Sequence, residues 1–144
     1  MKDNTQAAVD LAAFNWCVLP LHSPRGATCD CGASDCRSPA KHPRIRGWAD
    51  WKENPTPEDA ASWWGMWAHA NIGIVAGASG VVVLDVDPRH DGVETLKKLT
   101  DEHGVIPHGP RVRTGSGGWH FYFRHPKVPV GNSSGSSHGV TSHS

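Results

Sequence analysis

The sequence predicts an α+β fold with a mainly antiparallel sheet. Stretches with apolar residues three or four positions apart are typical of helices. They alternate with short runs rich in Val, Ile and aromatic residues, which are typical of strands. The last four such runs come in two pairs whose members are only a few residues apart, as antiparallel neighbours often are. The 144 residues fit one compact domain, which we expect to span residues 1–130.

Caps and residue preferences define the individual elements. Asn4 or Thr5 can cap the first helix. Thr56 followed by Pro57 is typical of a helix start, and Gly104 is typical of a helix end. The predicted elements, in order, are a helix over 4–15, a strand over 16–21, a loop over 22–47, a helix over 56–69, strands over 71–77 and 80–87, a helix over 91–103, and strands over 111–114 and 119–125.

Two connections and the end of the chain complete the prediction. Ala78-Ser79 is short enough to join its flanking strands as a hairpin. The sequence "GSGG", residues 115–118, is expected to join the last pair of strands in the same way. Residues 131–144 have no apolar pattern, so we expect them to form a disordered tail.

Composition argues against several classes of protein. Lys and Arg number 14 together, as do Asp and Glu, so nucleic-acid binding would need a local basic patch. No apolar run approaches the roughly 20 residues that cross a bilayer. The N-terminus lacks the apolar core of a signal peptide, so we expect a cytoplasmic protein without membrane contact. In that reducing compartment, clustered cysteines are more typical of metal sites than of disulfides.

An apolar strand ends in two acidic residues, in the sequence "VVVLDVDP". Asp85 and Asp87 are two positions apart on this strand, so they share a face with Cα atoms about 6.5–7 Å apart. Two neighbouring carboxylates are suited to Mg²⁺ or Mn²⁺, whose remaining ligands are often water and substrate phosphates. The alternative is that the strand simply ends in an acidic turn at Pro88.

The last strand alternates aromatic and polar residues directly after a glycine-rich turn. His120, Tyr122 and Arg124 occupy its polar face. Glycines let backbone N–H groups approach an anion, and neighbouring cations add attraction. The alternative is an ordinary hairpin turn with surface polar residues. The predicted nucleotide-phosphate site comprises Arg113, Ser116, Gly117, Gly118, His120, Tyr122 and Arg124.

The loop over residues 22–47 carries cysteines and cations. Three thiolates and one imidazole form a closed tetrahedral zinc shell, so we expect a structural zinc ion. The alternatives are unliganded thiols, or His22 in place of His42. The predicted zinc ligands are Cys29, Cys31, Cys36 and His42. The basic residues of this loop either contact nucleic-acid phosphates or form a solvated surface. The predicted nucleic-acid contacts are Lys41, Arg44 and Arg46.

These motifs together resemble the prim-pol domain, the N-terminal domain of bifunctional DNA primase/polymerases in the archaeo-eukaryotic primase superfamily. The resemblance is carried by "WCVLPL", "KHPRIRGW", "NIGIVAG", "GVVVLDVDP" and "RTGSGGWHFYFRHP". It implies an RRM-like antiparallel sheet with packed helices and an N-terminal α/β portion. It also implies that Asp85 and Asp87 bind the catalytic metal and that Ser116 and His120 contact the triphosphate of the incoming nucleotide.

The resemblance breaks at the family's third motif, which supplies a further acidic residue. The corresponding place reads Gly139-Val140-Thr141, without a carboxylate. The interpretation is a prim-pol domain cut short at its C-terminal side, in which the set of metal ligands is incomplete. Ser142 and His143 are poor substitutes for a carboxylate on Mg²⁺.

The function predicted from the sequence is metal-dependent, template-directed nucleotidyl transfer in DNA replication. Asp85, Asp87 and His120 are the predicted catalytic residues. The partners would be NTP or dNTP, a single-stranded DNA template or primer, and a replicative helicase. The alternative is a non-catalytic module, held by zinc, that binds single-stranded nucleic acid or nucleotide. A glycosyltransferase would not explain the Ser-Gly-Gly-x-His motif, and a phosphatase with an Asp nucleophile would need a small residue after Asp87.

Overall fold

The structure, a computed structural model, describes residues 3–131 and the backbone of residues 133–134 and 140–143. It divides into two compact units, Met1–Ser79 and Gly80–Ser144. Each unit contains α-helix and antiparallel strands, which confirms the predicted α+β class. The single domain over residues 1–130 remains a prediction. Among the described residues, no helix is both long enough and apolar enough to cross a membrane.

The described residues of the first unit form two helices and two small antiparallel sheets. The strands β1 and β4 form one sheet, and β2 and β3 form the other. The elements are α1 (Thr5–Ala13), β1 (Val18–Leu21), β2 (Pro24–Arg25), β3 (Thr28–Cys29), α2 (Pro57–Met66) and β4 (Asn71–Ile74).

Helix α2 begins where the sequence predicts. The Thr56 hydroxyl accepts a hydrogen bond from the Asp59 backbone N–H at 3.2 Å, and the Asp59 carboxylate accepts one from the Thr56 N–H at 2.9 Å. Pro57 occupies the first turn, where its missing N–H leaves no helical hydrogen bond unmade. This reciprocal cap satisfies backbone donors that the start of a helix would otherwise leave unpaired.

The core of the first unit forms around Trp64, which is fully buried. Its indole N–H donates to the Ala70 carbonyl oxygen at 3.0 Å. Alanines on both helices let α1 and α2 approach closely enough to enclose the indole, whose removal from such a core costs about 3–5 kcal/mol. The buried core residues are Ala8, Ala12, Val18, Ala60, Trp64 and Ala70.

The predicted hairpin across Ala78-Ser79 is wrong. The strand β4 pairs with β1, and Ile74 lies opposite Val18. The reason is the anchoring of Ser79 to the first unit. The Ser79 hydroxyl donates to the Val75 carbonyl oxygen at 2.8 Å and accepts from the Cys17 N–H at 2.9 Å. These bonds hold the connection beside β1, so the strand that follows does not fold back on β4.

The described residues of the second unit form one five-stranded sheet and one helix. All neighbouring strands are antiparallel, in the order β6-β7-β5-β9-β8. The elements are β5 (Val81–Val86), α3 (Gly92–His103), β6 (Arg111–Arg113), β7 (Trp119–Arg124), β8 (Ser133–Ser134) and β9 (Val140–His143).

Helix α3 matches its predicted range. Gly104 ends the helix with a φ of 90°, a conformation that glycine adopts without strain. The buried residues of the helix are Gly92 and Thr95, Leu96 is partly buried, and Val93 and Leu99 are exposed. The helix lies beside β5 and β9.

The prediction of a disordered tail over residues 131–144 is wrong where β8 and β9 form. The strand β9 pairs with β5, and β8 pairs with β9. The interaction uses backbone N–H and C=O groups, which every non-proline residue carries, so it needs no apolar sequence pattern. Residues 132, 135–139 and 144 of the predicted tail lie outside the described residues.

The predicted pairing of the last two strands is confirmed, and a tight turn joins them. The Thr114 N–H donates to the Gly118 carbonyl oxygen, and the Gly118 N–H donates to the Thr114 hydroxyl, both at 2.9 Å. A Cβ atom on Gly118 would lie 2.2 Å from the Val86 carbonyl oxygen and 2.9 Å from Pro88 Cδ. Only glycine lets this turn lie so close to the end of β5.

We expect Gly118→Ala to destabilise the protein because the new methyl group must displace the backbone at Val86. The expected loss is about 1–3 kcal/mol in the free energy of unfolding, typical of overpacking. Urea unfolding of the variant measures the loss. Gly115→Ala is the matched control, since a Cβ there would meet no atom within 4 Å. Equal midpoints for the two variants would contradict this interpretation.

Candidate functional site

Asp85 and His120 lie directly opposite each other on β5 and β7. Residues paired in this way have their side chains on the same face of the sheet. The His120 Nε2 atom lies 3.5 Å from the Asp85 Oδ1 atom, and the two side chains are 36% and 30% exposed. The structure therefore brings together an acid and an imidazole that the sequence predicted to act at one site, and both are accessible to a ligand.

Asp87 follows the end of β5 and contacts Arg89. Its backbone is extended, with φ −96° and ψ 115°, so the alternation of the strand continues and Asp87 lies on the face of Asp85. The Arg89 guanidinium donates to both carboxylate oxygens, and the Arg89 N–H donates to Oδ1 at 3.0 Å. The Arg89 side chain and backbone N–H hold the pKa of the Asp87 carboxyl well below its usual range.

The glycine-rich turn lies against the same end of β5. Ser116 is exposed, and its hydroxyl lies 3.0 Å from that of Thr114. The N–H groups of Gly117 and Gly118 donate to the Thr114 carbonyl and hydroxyl oxygens. These N–H groups have partners within the turn, and the role of the two glycines as anion donors stays a prediction. The glycines permit the turn and its close approach to β5.

Tyr122 and Arg124 share the face of His120. Tyr122 lies opposite Val83, and Arg124 lies opposite Val81. The rings of His120 and Tyr122 have centroids 6.5 Å apart in an edge-on arrangement. Burial raises the pKa of the Tyr122 phenol. The predicted polar face of β7 is therefore a continuous row that begins at His120 and leads away from the acids.

Arg113 does not join this row, contrary to its predicted place in the phosphate site. It lies opposite Trp119, and its neighbour Arg111 lies opposite Phe121, on the aromatic face of the sheet. The Arg111 guanidinium lies 5.4 Å from the centre of the Trp119 ring. Arg111 and Arg113 are two positions apart on β6 and share a face, and the register between β6 and β7 decides which face that is.

The position opposite Asp85 on its other side is Thr141 of β9. The resemblance to prim-pol domains leads us to expect a third acidic residue in this part of the chain, and the position opposite Asp85 is instead a threonine. Two acidic residues on one face still match the oxygen donors that Mg²⁺ and Mn²⁺ prefer. Asp85 and Asp87 would hold such an ion once Arg89 has left Asp87.

The predicted zinc ligands come together in the first unit. One atom from each of Cys29, Cys31, Cys36 and His42 lies within 4.8 Å of all the others. The His42 Nε2 atom lies 3.5 Å from both the Cys29 and the Cys36 sulfur atoms. Zn–S bonds of about 2.3 Å place tetrahedral sulfur ligands about 3.8 Å apart, so this cluster can hold zinc.

The lowered pKa of one thiol, that of Cys29, favours a metal site. Burial alone would raise the pKa of the Cys29 thiol, but hydrogen bonds from the backbone N–H groups of Ala40 and Cys31 outweigh it and lower the pKa to about 6. Burial raises the pKa of the Cys36 thiol. A thiolate at Cys29 is the form that binds zinc. His42, rather than His22, belongs to the group of four ligands.

A network that the sequence did not predict supports this loop. The Asp30 carboxylate accepts hydrogen bonds from His22 at 2.7 Å, from the Ser23 N–H at 3.0 Å and from Arg44. The imidazole rings of His22 and His42 are 4.4 Å apart. Asp30 thereby holds His22 beside His42, a predicted zinc ligand, and connects this pair to Arg44. Its position between two cysteines is the only local signal for this role.

Arg44, one of the predicted nucleic-acid contacts, belongs to this network. Its side chain is 13% exposed. The Nε–H group donates to the Leu21 carbonyl oxygen at 3.2 Å, and the guanidinium lies 5.5 Å from the Trp67 ring centre. An arginine held on several sides has a structural role. Lys41 and Arg46 are exposed, and their nucleic-acid contacts remain predictions.

We expect the purified protein to contain about one zinc ion per chain, as a closed four-ligand site implies. Cys36→Ala should lose the zinc and melt at a lower temperature, since a structural metal contributes directly to folding. Elemental analysis and thermal unfolding measure both effects. Cys17→Ala is the matched control, because Cys17 is buried away from the cluster. Retention of zinc in Cys36→Ala would contradict this ligand set.

Comparison with known proteins agrees with the resemblance seen in the sequence. The family model Prim-Pol, described as bifunctional DNA primase/polymerase, N-terminal, matches residues 8–141. Neither the curated proteins nor the solved structures include a match to the chain. The family match spans most of the chain and includes both compact units, and it indicates a primase or polymerase function with nucleotide and DNA binding in general. The chain belongs to the family of bifunctional DNA primase/polymerase N-terminal domains.

Proposed function

We propose that the Gly80–Ser144 unit binds a nucleoside triphosphate with Mg²⁺ or Mn²⁺ and catalyses template-directed nucleotidyl transfer. The observation that carries the proposal is the pairing of Asp85 with His120 across β5 and β7. It brings a metal ligand and a phosphate-binding imidazole onto one accessible face.

The residues of this face have separate roles in the reaction. Asp85 and Asp87 would hold the metal ion, which would lower the pKa of the primer 3′-hydroxyl group and neutralise phosphate charge. His120 and the Ser116 hydroxyl bind the triphosphate and orient its α-phosphorus toward the primer 3′-oxygen. The new P–O bond forms as the bond to the leaving pyrophosphate breaks. Donors that are already in place stabilise the charge that develops on the phosphates without reorganisation.

We expect Asp85→Ala/Asp87→Ala to abolish metal-dependent nucleotide binding, since both carboxylate ligands are gone. Calorimetric titration of dATP, with and without Mn²⁺, measures the binding. Asp101→Ala is the control, because Asp101 is an exposed acid on α3 that pairs with Lys97. Unchanged Mn²⁺-dependent binding in the double variant would overturn the proposal.

The threonine opposite Asp85 gives a test by gain of function. We expect Thr141→Asp to bind Mn²⁺ about tenfold more tightly, because residues paired across strands have Cβ atoms about 4.5–5.5 Å apart and can share one cation. Ser142→Asp is the matched control, since the next residue of a strand points to the other face. Manganese titration followed by electron paramagnetic resonance measures the affinity. Equal affinities in the two variants would contradict a metal site beside residue 141.

The same threonine favours a second candidate, a module that binds nucleotide or single-stranded nucleic acid without catalysis. Two carboxylates can hold a metal–nucleotide complex but are fewer ligands than the family motif supplies. Primer extension with a labelled primer separates the two functions. A polymerase lengthens the primer in a metal-dependent reaction. A binding module retards the single strand with salt-dependent affinity and adds no nucleotide.

A further inference from the structure

Arg89 interacts with Asp87 more extensively than an ordinary surface ion pair. The Nε–H group lies 3.0 Å and 3.2 Å from the two carboxylate oxygens, and the Nη2 group lies 2.6 Å from Oδ2. The Arg89 backbone N–H also donates to Oδ1. His90 adds a ring nitrogen 3.4 Å from Oδ2. One of the two predicted metal ligands is therefore already occupied by a cation of the protein itself.

A guanidinium and a divalent ion compete for the same carboxylate. Their like charges repel, and both Asp87 oxygens already accept hydrogen bonds from Arg89. The Arg89 side chain is nevertheless 63% exposed. Because the guanidinium stays in solvent, water screens this ion pair, and a divalent ion can compete with Arg89 for the carboxylate. Displacement frees a mobile cation next to the metal.

The other arginines of the second unit lie farther from the two acids or on the other face of the sheet. The arginines of the second unit's sequence are Arg89, Arg111, Arg113 and Arg124. Arg111 and Arg113 lie on the opposite face of the sheet. Arg124 is opposite Val81, which is about 13 Å along the strand from Asp85. Arg89 is thus the arginine placed to reach phosphates bound beside the two acids.

We propose that Arg89 changes partners when substrate binds, from the Asp87 carboxylate to the triphosphate of the nucleotide. This inference rests on the proposed function and adds a specificity device to it. The metal alone must compete with Arg89 for Asp87. The metal–nucleotide complex provides phosphate oxygens for the released guanidinium, to which it can bind in a bidentate manner. The site thereby favours a metal-bound triphosphate over the free ion.

The proposal gives Arg89→Ala two effects of opposite sign. Mn²⁺ alone should bind about two- to fivefold more tightly, because the competing ion pair is gone. dATP in the presence of Mn²⁺ should bind at least about tenfold more weakly, because a charged hydrogen bond to phosphate is lost. Arg89→Lys should lie between the wild type and Arg89→Ala in both measurements, since lysine keeps the charge but not the forked geometry.

The full chain is titrated with Mn²⁺ alone and then with dATP at saturating Mn²⁺. Arg111→Ala is the matched control, an arginine on the other face that should change neither affinity. Unchanged dATP affinity in Arg89→Ala, or two affinities that move in the same direction, would overturn the role of Arg89 alone. A wild-type protein that binds neither Mn²⁺ nor dATP would overturn the proposed function and this inference together.

Discussion

The close approach of Gly118 to the Val86 carbonyl oxygen is the constraint on which the second unit's site depends. It fixes the turn between β6 and β7 against the end of β5, and with it the pairing of Asp85 with His120. A shift of this register by one residue would move His120 to the face of the sheet opposite Asp85. It would also bring Trp119 or Phe121 beside Asp85. The chemistry of the site therefore depends on a contact that contains no catalytic atom.

Features that depend on local sequence, including the turn that pairs β6 with β7, were predictable, whereas features that depend on register or on contacts between distant segments were not. The alternation along β7 separates His120 from Trp119 whatever the partner strand, because side chains alternate with a period of two. The face of Arg113 depends on which residue of β7 it opposes, and the partner of β4 depends on contacts between distant segments. The strand β9 has no apolar pattern in the sequence, and its pairing with β5 needs none because backbone N–H and C=O groups form such a ladder.

The loop over residues 22–47 also combines a feature set by local sequence with one set by distant contacts. The spacing of three cysteines and a histidine predicted the cluster that the structure brings together, because a closed ligand set is a property of a short segment. Arg44 looked like its neighbours Lys41 and Arg46 in sequence. Its structural role follows from its contacts with Asp30, fourteen residues earlier, and with Trp67, the residue that follows the end of α2. Only the folded chain distinguishes the partly buried guanidinium of Arg44 from the exposed side chains of Lys41 and Arg46.

The two candidate metal sites also differ in how the protein manages without a metal. In the second unit each acid lies beside a basic side chain, Asp85 beside His120 and Asp87 beside Arg89. These contacts limit the repulsion between the two carboxylates, so a metal ion that binds there has to exchange with protein partners. In the first unit the thiols and His42 lie close to one another, and backbone N–H groups stabilise the Cys29 thiolate. A zinc ion held by these four side chains would therefore stabilise the loop directly, whereas a metal ion at the acidic site would act together with a nucleotide.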